Sequence, residues 1–131
     1  MVIFTNPPTV HPPAGSYSHT AVVPADTELV FLSGQVGARP DGSTPPTLAE
    51  QADQAFANVV HLLAAHGLQP NAIVKLTLFI VAGQDIQVVR NARIKHLGNH
   101  RPTSTAVFIS QLADPKWLVE VEAVAAKSAP K

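Results

Sequence analysis

Residues 47–81 read TLAEQADQAFANVVHLLAAHGLQPNAIVKLTLFIV, and this stretch decides the fold class. Thr47 and Glu50 have the T-x-x-E spacing of a helix capping box. Apolar residues then recur at 48, 52, 55, 56, 59, 62 and 63, the period of an amphipathic helix. Glu50, Gln51, Asp53, Gln54, Asn58 and His61 fall on its other face, and Gly67 suits the position just past its end. Ile73 to Val81 is apolar at nearly every position, which reads as a strand buried on both faces. An amphipathic helix running into such a strand predicts a helix laid on a sheet.

Outward from this unit, Leu29 to Val36 (LVFLSGQV) reads as a strand. Thr20 to Val23 is expected to pair with it through the Pro24–Glu28 connection. Pro7, Pro8, Pro12 and Pro13 mark an irregular N-terminal segment, and Pro40, Pro45 and Pro46 surround an Asp41-Gly42 turn. Asp85 is placed to cap a second helix from Ile86 to about Leu97, closed by Gly98. Ala106 to Ser110 reads as a further strand, and Trp117 to Ala126 as the last. The result is a single domain over residues 1–131, α/β or α+β, with two helices covering one face of a mixed sheet. Two helices cannot cover both faces of a five- or six-stranded sheet, so the other face is expected at a subunit interface.

Composition supports that expectation and narrows the function. Of 131 residues, 46% are hydrophobic and 14% charged, about half the usual charged fraction, which suits a surface partly covered by partner chains. Nine basic and nine acidic side chains with no Lys/Arg cluster argue against nucleic acid as a partner. The absence of cysteine removes disulfides, thiol chemistry and thiolate metal sites. The N-terminus has no basic region followed by a long apolar run, so no signal peptide is expected. No apolar stretch is long enough to span a membrane. A cytoplasmic protein follows by elimination.

Several side chains stand out against this background. Glu120 and Glu122 alternate with Val119, Val121 and Ala123, so both carboxylates share one face of the last strand. They mark either a wet edge or a pocket. On the second helix Arg90 and Arg93 lie inside the stripe formed by Ile86, Val89 and Leu97. They either reach the rim with their stems buried or make an anion site or intersubunit salt bridge. Tyr17 and His19 emerge from a Gly-Ser-Tyr-Ser turn, where anchoring and a functional role are both open. Gly34, in Ser33-Gly34-Gln35, permits close approach of a ligand or backbone. His61 and His66 are five apart on a helix, and His96 and His100 straddle Gly98, so no helical ligand pair forms and no metal site is expected.

Taken in order, Gly15-Ser16-Tyr17-Ser18, Leu32-Ser33-Gly34-Gln35-Val36, Val74-Lys75-Leu76-Thr77-Leu78-Phe79, Arg101-Pro102 and Val119-Glu120-Val121-Glu122-Ala123 resemble the RidA/YjgF family from about Pro13 to Ala125. The resemblance implies a chorismate-mutase-like α+β fold and a homotrimer with small-molecule clefts between subunits. It also implies cofactorless deaminase chemistry, in which reactive enamines and imines are hydrolysed to 2-keto acids and ammonia. In such proteins an arginine holds the substrate carboxylate and a glutamate positions or activates water. The resemblance makes Tyr17 and Glu120 the catalytic candidates and places Gly34 in the cleft. The arginine does not carry over: Ser104 stands in its place, with Ala106 two positions on, and Arg90 replaces an asparagine. The chain thus resembles a branch lacking the deaminase arginine, for which hydrolysis of simple 2-imino acids is expected to be weak. Arg90 or Arg101 is a candidate to supply the anion contact.

RNA cleavage or translation inhibition, which the resemblance also raises, is disfavoured by the neutral charge and absent basic patch, and two functions remain open at this level. One is a cofactorless hydrolase of small imine or enamine compounds. The other is a non-catalytic trimer that binds a small carboxylate or aromatic metabolite, which a cleft filled by Phe108 or Trp117 would favour.

Overall fold

A computed structural model describes residues 1–128. Strands β1 (Ile3–Thr5) and β2 (Thr20–Val22) form a small antiparallel pair. The main sheet has β3 (Thr27–Val36), β4 (Ile73–Val81), β5 (Thr103–Ile109) and β6 (Val119–Ser128) in the order β3-β6-β4-β5. Only β4 and β5 run parallel, as a crossover through helix α2 (Ile86–Leu97) requires. Helix α1 (Leu48–Ala65) lies beside α2 on the same face. Among the described residues, no helix is long and apolar enough to cross a membrane.

Both helices start and stop where their sequence predicts. Thr47 Oγ1 accepts the Glu50 N–H at 3.2 Å, and Gly67 follows with φ +71°. Asp85 Oδ1 accepts the Gln87 N–H at 2.9 Å, and Gly98 ends the helix with φ +64°. The core between helices and sheet is made by Phe56, Val59 and Leu63 against Leu76, Ile80, Val119 and Val121, all fully buried.

Four corrections to the sequence reading follow. Thr20–Val22 pairs with Ile3–Thr5, not with β3, so the N-terminal segment is partly ordered as a strand. The main sheet has four strands, not five or six. Strand β5 begins at Thr103 because its parallel partnership with β4 runs back to Lys75. Gln51 is 1% exposed, not on the polar face of α1. Its Nε2 donates to the carbonyls of Pro45 (3.0 Å) and Lys116 (2.9 Å), and its Oε1 accepts the Leu118 N–H (2.8 Å). One buried amide thus ties α1 to the loop just before it and to the distant loop before β6, and satisfies three backbone groups.

The face of the sheet away from the helices is open in the protomer. Strand β4 alternates between Leu76, Leu78 and Ile80, buried under the helices, and Lys75, Thr77, Phe79 and Val81, half-buried on the other side. Phe31 on that side is 74% exposed.

Candidate functional site

The sheet register sorts the candidate residues onto two sides. In the parallel pair Ser104 lies beside Leu76 and Ala106 beside Leu78, so both face the helices. In the antiparallel pair Glu120 lies beside Phe79 and Glu122 beside Thr77, so both carboxylates occupy the open face.

On the helix side a cavity of about 270 Å³ lies between α2, β5 and the loop before β2. Tyr17, Ile86, Arg90, Arg93, Ser104 and Ala106 contribute to its wall. Neither Phe108 nor Trp117 fills it. The loop carrying Tyr17 is bonded to the segment before β5. The Ser18 N–H donates to the Pro102 carbonyl at 3.0 Å, and Ser18 Oγ donates to the Arg101 carbonyl at 2.6 Å. Tyr17 Oη accepts the Ala14 N–H at 3.2 Å, and its ring meets His19 edge-on at 5.7 Å. His19 Nε2 lies 2.7 Å from the His11 carbonyl. A carbonyl only accepts, so that nitrogen carries the hydrogen. His19 therefore braces the Tyr17 loop.

The arginines divide differently from the sequence expectation. Arg90 is exposed and lines the cavity, on the opposite side of the sheet from Glu120, with no ion pair between them. Arg101 is exposed just before β5 and lies outside the cavity wall. Arg93 is the arginine that turns inward, at 8% exposure. Its Nη1 donates to Ser104 Oγ at 3.1 Å and its Nη2 to the Ser16 carbonyl. Burial, and then the neighbouring Arg90 charge, hold the Arg93 guanidinium below the ordinary arginine value, although it remains a cation at neutral pH.

On the open face Glu120 is half-buried against Gly34, at the irregularity where β3 shifts register between Leu32 and Gln35. Among the described residues, no side-chain hydrogen bond or salt bridge reaches its carboxylate. Glu122 is exposed. The protomer thus brings Tyr17, Arg90, Ser104 and Ala106 together and holds Gly34 and Glu120 apart from them. Among the described residues, no three His, Asp or Glu side chains come together as metal ligands.

The family model described as endoribonuclease L-PSP matches residues 9–127. A Bos taurus protein named 2-iminobutanoate/2-iminopropanoate deaminase is 30% identical over 114 residues, 85% of this chain and 80% of the relative. Protein HMF1 of Saccharomyces cerevisiae is 29% identical over 116 residues, 87% of this chain and 86% of the relative. The E. coli TdcF structure with bound serine superposes with a TM-score of 0.71 at 27% identity, covering 87% of this chain and 96% of that one. The Rid-family protein YyfB of Yersinia pestis shares the fold with a TM-score of 0.82 at 23% identity, covering 95% and 97%. The chain belongs to the RidA/YjgF family.

Proposed function

We propose that this protein is a cytoplasmic homotrimer that hydrolyses small imine or enamine metabolites in clefts shared by neighbouring subunits. The observation that carries the reading is the division of the site residues between the two faces of the sheet. Glu120 cannot serve the Tyr17 cavity of its own chain, because the sheet lies between them. A neighbouring chain that covers the open face brings its β5 edge and its cavity toward Glu120. The relative named 2-iminobutanoate/2-iminopropanoate deaminase supports the chemistry.

In this reading an imine carbon lies between Glu120 and the cavity wall. The Glu120 carboxylate takes a proton from water as the oxygen attacks that carbon. The proton passes to the imine nitrogen; Glu120 then takes the adduct's hydroxyl proton and delivers it to the amino group, the C–N bond breaks with its electron pair leaving on ammonia, and a 2-keto acid remains. No redox cofactor is needed, because the carbon does not change oxidation state. Gly34 gives Glu120 room, and Tyr17 forms part of the substrate wall.

Ammonia release from freshly generated imines tests the reading. Glu120→Gln is expected to lower the enzymatic rate by roughly 10²–10⁴-fold, the usual range for a general base. Ammonia release no faster than the spontaneous rate across mono- and dicarboxylic imines would leave a binding protein instead.

A further inference from the structure

The cavity beside β5 carries two cations and no anion. Arg90 and Arg93 lie three residues apart on α2, and no other residue of the cavity wall is charged. Among the described residues, no salt bridge reaches either one. Arg93 is more than nine-tenths buried, and its two hydrogen-bond partners, Ser104 Oγ and the Ser16 carbonyl, are both neutral. Buried guanidinium groups are ordinarily matched by a carboxylate or phosphate, because an unmatched buried charge is costly. Five N–H donors in a planar fork also exceed what two neutral acceptors use.

The geometry points to Arg93 as the group that grips a substrate carboxylate, reaching from α2 to Ser104, and to Arg90 as a second anion contact. The ligand is then a small dianion: an imine or enamine bearing two carboxylates, or the 2-oxo diacid formed from it. This inference rests on the cleft proposed above and specifies what that cleft takes. The neighbouring chain's Glu120 faces the imine carbon and is committed to the attacking water, so a ligand with one carboxylate leaves Arg90 unpaired, whereas a dicarboxylate engages both guanidinium groups. At about 270 Å³ the cavity falls near the low end of ligand sites, roughly 300–1,000 Å³. That size suits a short-chain diacid. Arg93 enters from a helix rather than from β5, so its fork meets the ligand from the α2 side of Ser104.

Calorimetric titration of the assembled protein with 2-oxoglutarate and with 2-oxobutyrate tests this without turnover. The wild type is expected to bind 2-oxoglutarate roughly tenfold or more tightly than 2-oxobutyrate, the scale of one charged hydrogen bond. Arg90→Gln should abolish that preference by weakening 2-oxoglutarate roughly tenfold more than 2-oxobutyrate. Arg93→Gln should weaken both acids by roughly ten- to a hundredfold. Arg93→Lys keeps the charge without the fork and guards against a loss of fold, checked by thermal melting. It should weaken both acids while the protein still melts cooperatively. Equal binding of the two acids by the wild type, no binding of either at millimolar concentration, or full affinity in a folded Arg93→Lys variant would overturn the inference. Because binding is read separately from ammonia release, loss of hydrolysis with this binding pattern intact counts against the catalytic reading alone.

Discussion

A Cβ placed on Gly34 would fall 2.1 Å from Oε1 of Glu120, so the glycine at 34 is what lets that carboxylate lie across β3. The atoms in conflict belong to the far half of a flexible side chain, with Cδ at 2.7 Å and Cγ at 2.9 Å. Glu120 can therefore swing away without moving the backbone. Gly34→Ala is expected to fold normally, with a stability change within about 1 kcal/mol, near the small end of single substitutions. It should lose most ammonia-releasing activity, because the carboxylate is displaced. Chemical denaturation alongside the activity assay checks this, and a fully active Gly34→Ala protein would show that the position of Glu120 is immaterial.

Gly37 gives the opposite result for the same substitution. A Cβ there would lie 2.5 Å from Gln51 Cα and 2.6 Å from its carbonyl oxygen, which are backbone atoms of α1. The helix itself must shift. Gly37→Ala is expected to cost about 2–3 kcal/mol, as overpacking of a close contact does. Gln51→Leu should cost about 3 kcal/mol, because the Pro45 and Lys116 carbonyls and the Leu118 N–H lose their partner together. Urea unfolding of both variants measures these losses.

The pairing of Asp53 with α2 predicts a pH dependence. Its Oδ1 lies 2.7 Å from Lys95 Nζ and 2.8 Å from His96 Nε2. These contacts hold the carboxyl below its ordinary value of 3.8, with the Lys95 hydrogen bond the largest cause. The folded state thus favours the carboxylate. The contribution is complete above the unfolded value and is lost as pH falls through the folded one. The Asp53 side chain is 46% exposed, so solvent screening limits the pair to about 0.5 kcal/mol. Unfolding curves for wild type and Asp53→Asn should differ by that amount at pH 7 and converge as pH falls well below the ordinary carboxyl value of 3.8.

The uncovered sheet face predicts the assembly. Sedimentation at micromolar concentration should give three times the chain mass of 13.8 kDa. Phe31→Glu places a charge on the most exposed of the sheet's large apolar side chains and should shift the protein toward monomer. Activity should fall with the trimer fraction.

Much of the fold was legible because its signals are local. The period of α1 and the caps at Thr47 and Asp85 need only neighbouring residues, and the alternation around Glu120 placed both glutamates on one face. The misread parts depend on contacts distant in sequence. Strands β1 and β2 have three residues each, too few to show a period among prolines. Thr103-Ser104-Thr105 looks like a polar loop until its partnership with β4 is known. Gln51 looks like a surface residue until its partners at Lys116 and Leu118 are brought to it. The choice between Arg90 and Arg93 was closer to hand. At 100° per residue Arg93 falls about 20° from Ile86 and Arg90 about 40°, so Arg93 lies nearer the centre of the apolar stripe. What no helical projection shows is that Ser104, opposite in the fold, leaves room for a guanidinium.

Subunit mixing reads out whether Glu120 of one chain works with the cavity of another. Glu120→Gln removes the carboxylate, and Ala106→Phe fills the cavity. Each variant alone should be inactive as a trimer. Co-expressed in equal amounts, they should regain about a quarter of wild-type ammonia release per subunit, because each mixed ring of three assembles one site with both parts intact. No recovery in trimers shown to contain both chains would place the carboxylate and the cavity in the same subunit and contradict the account.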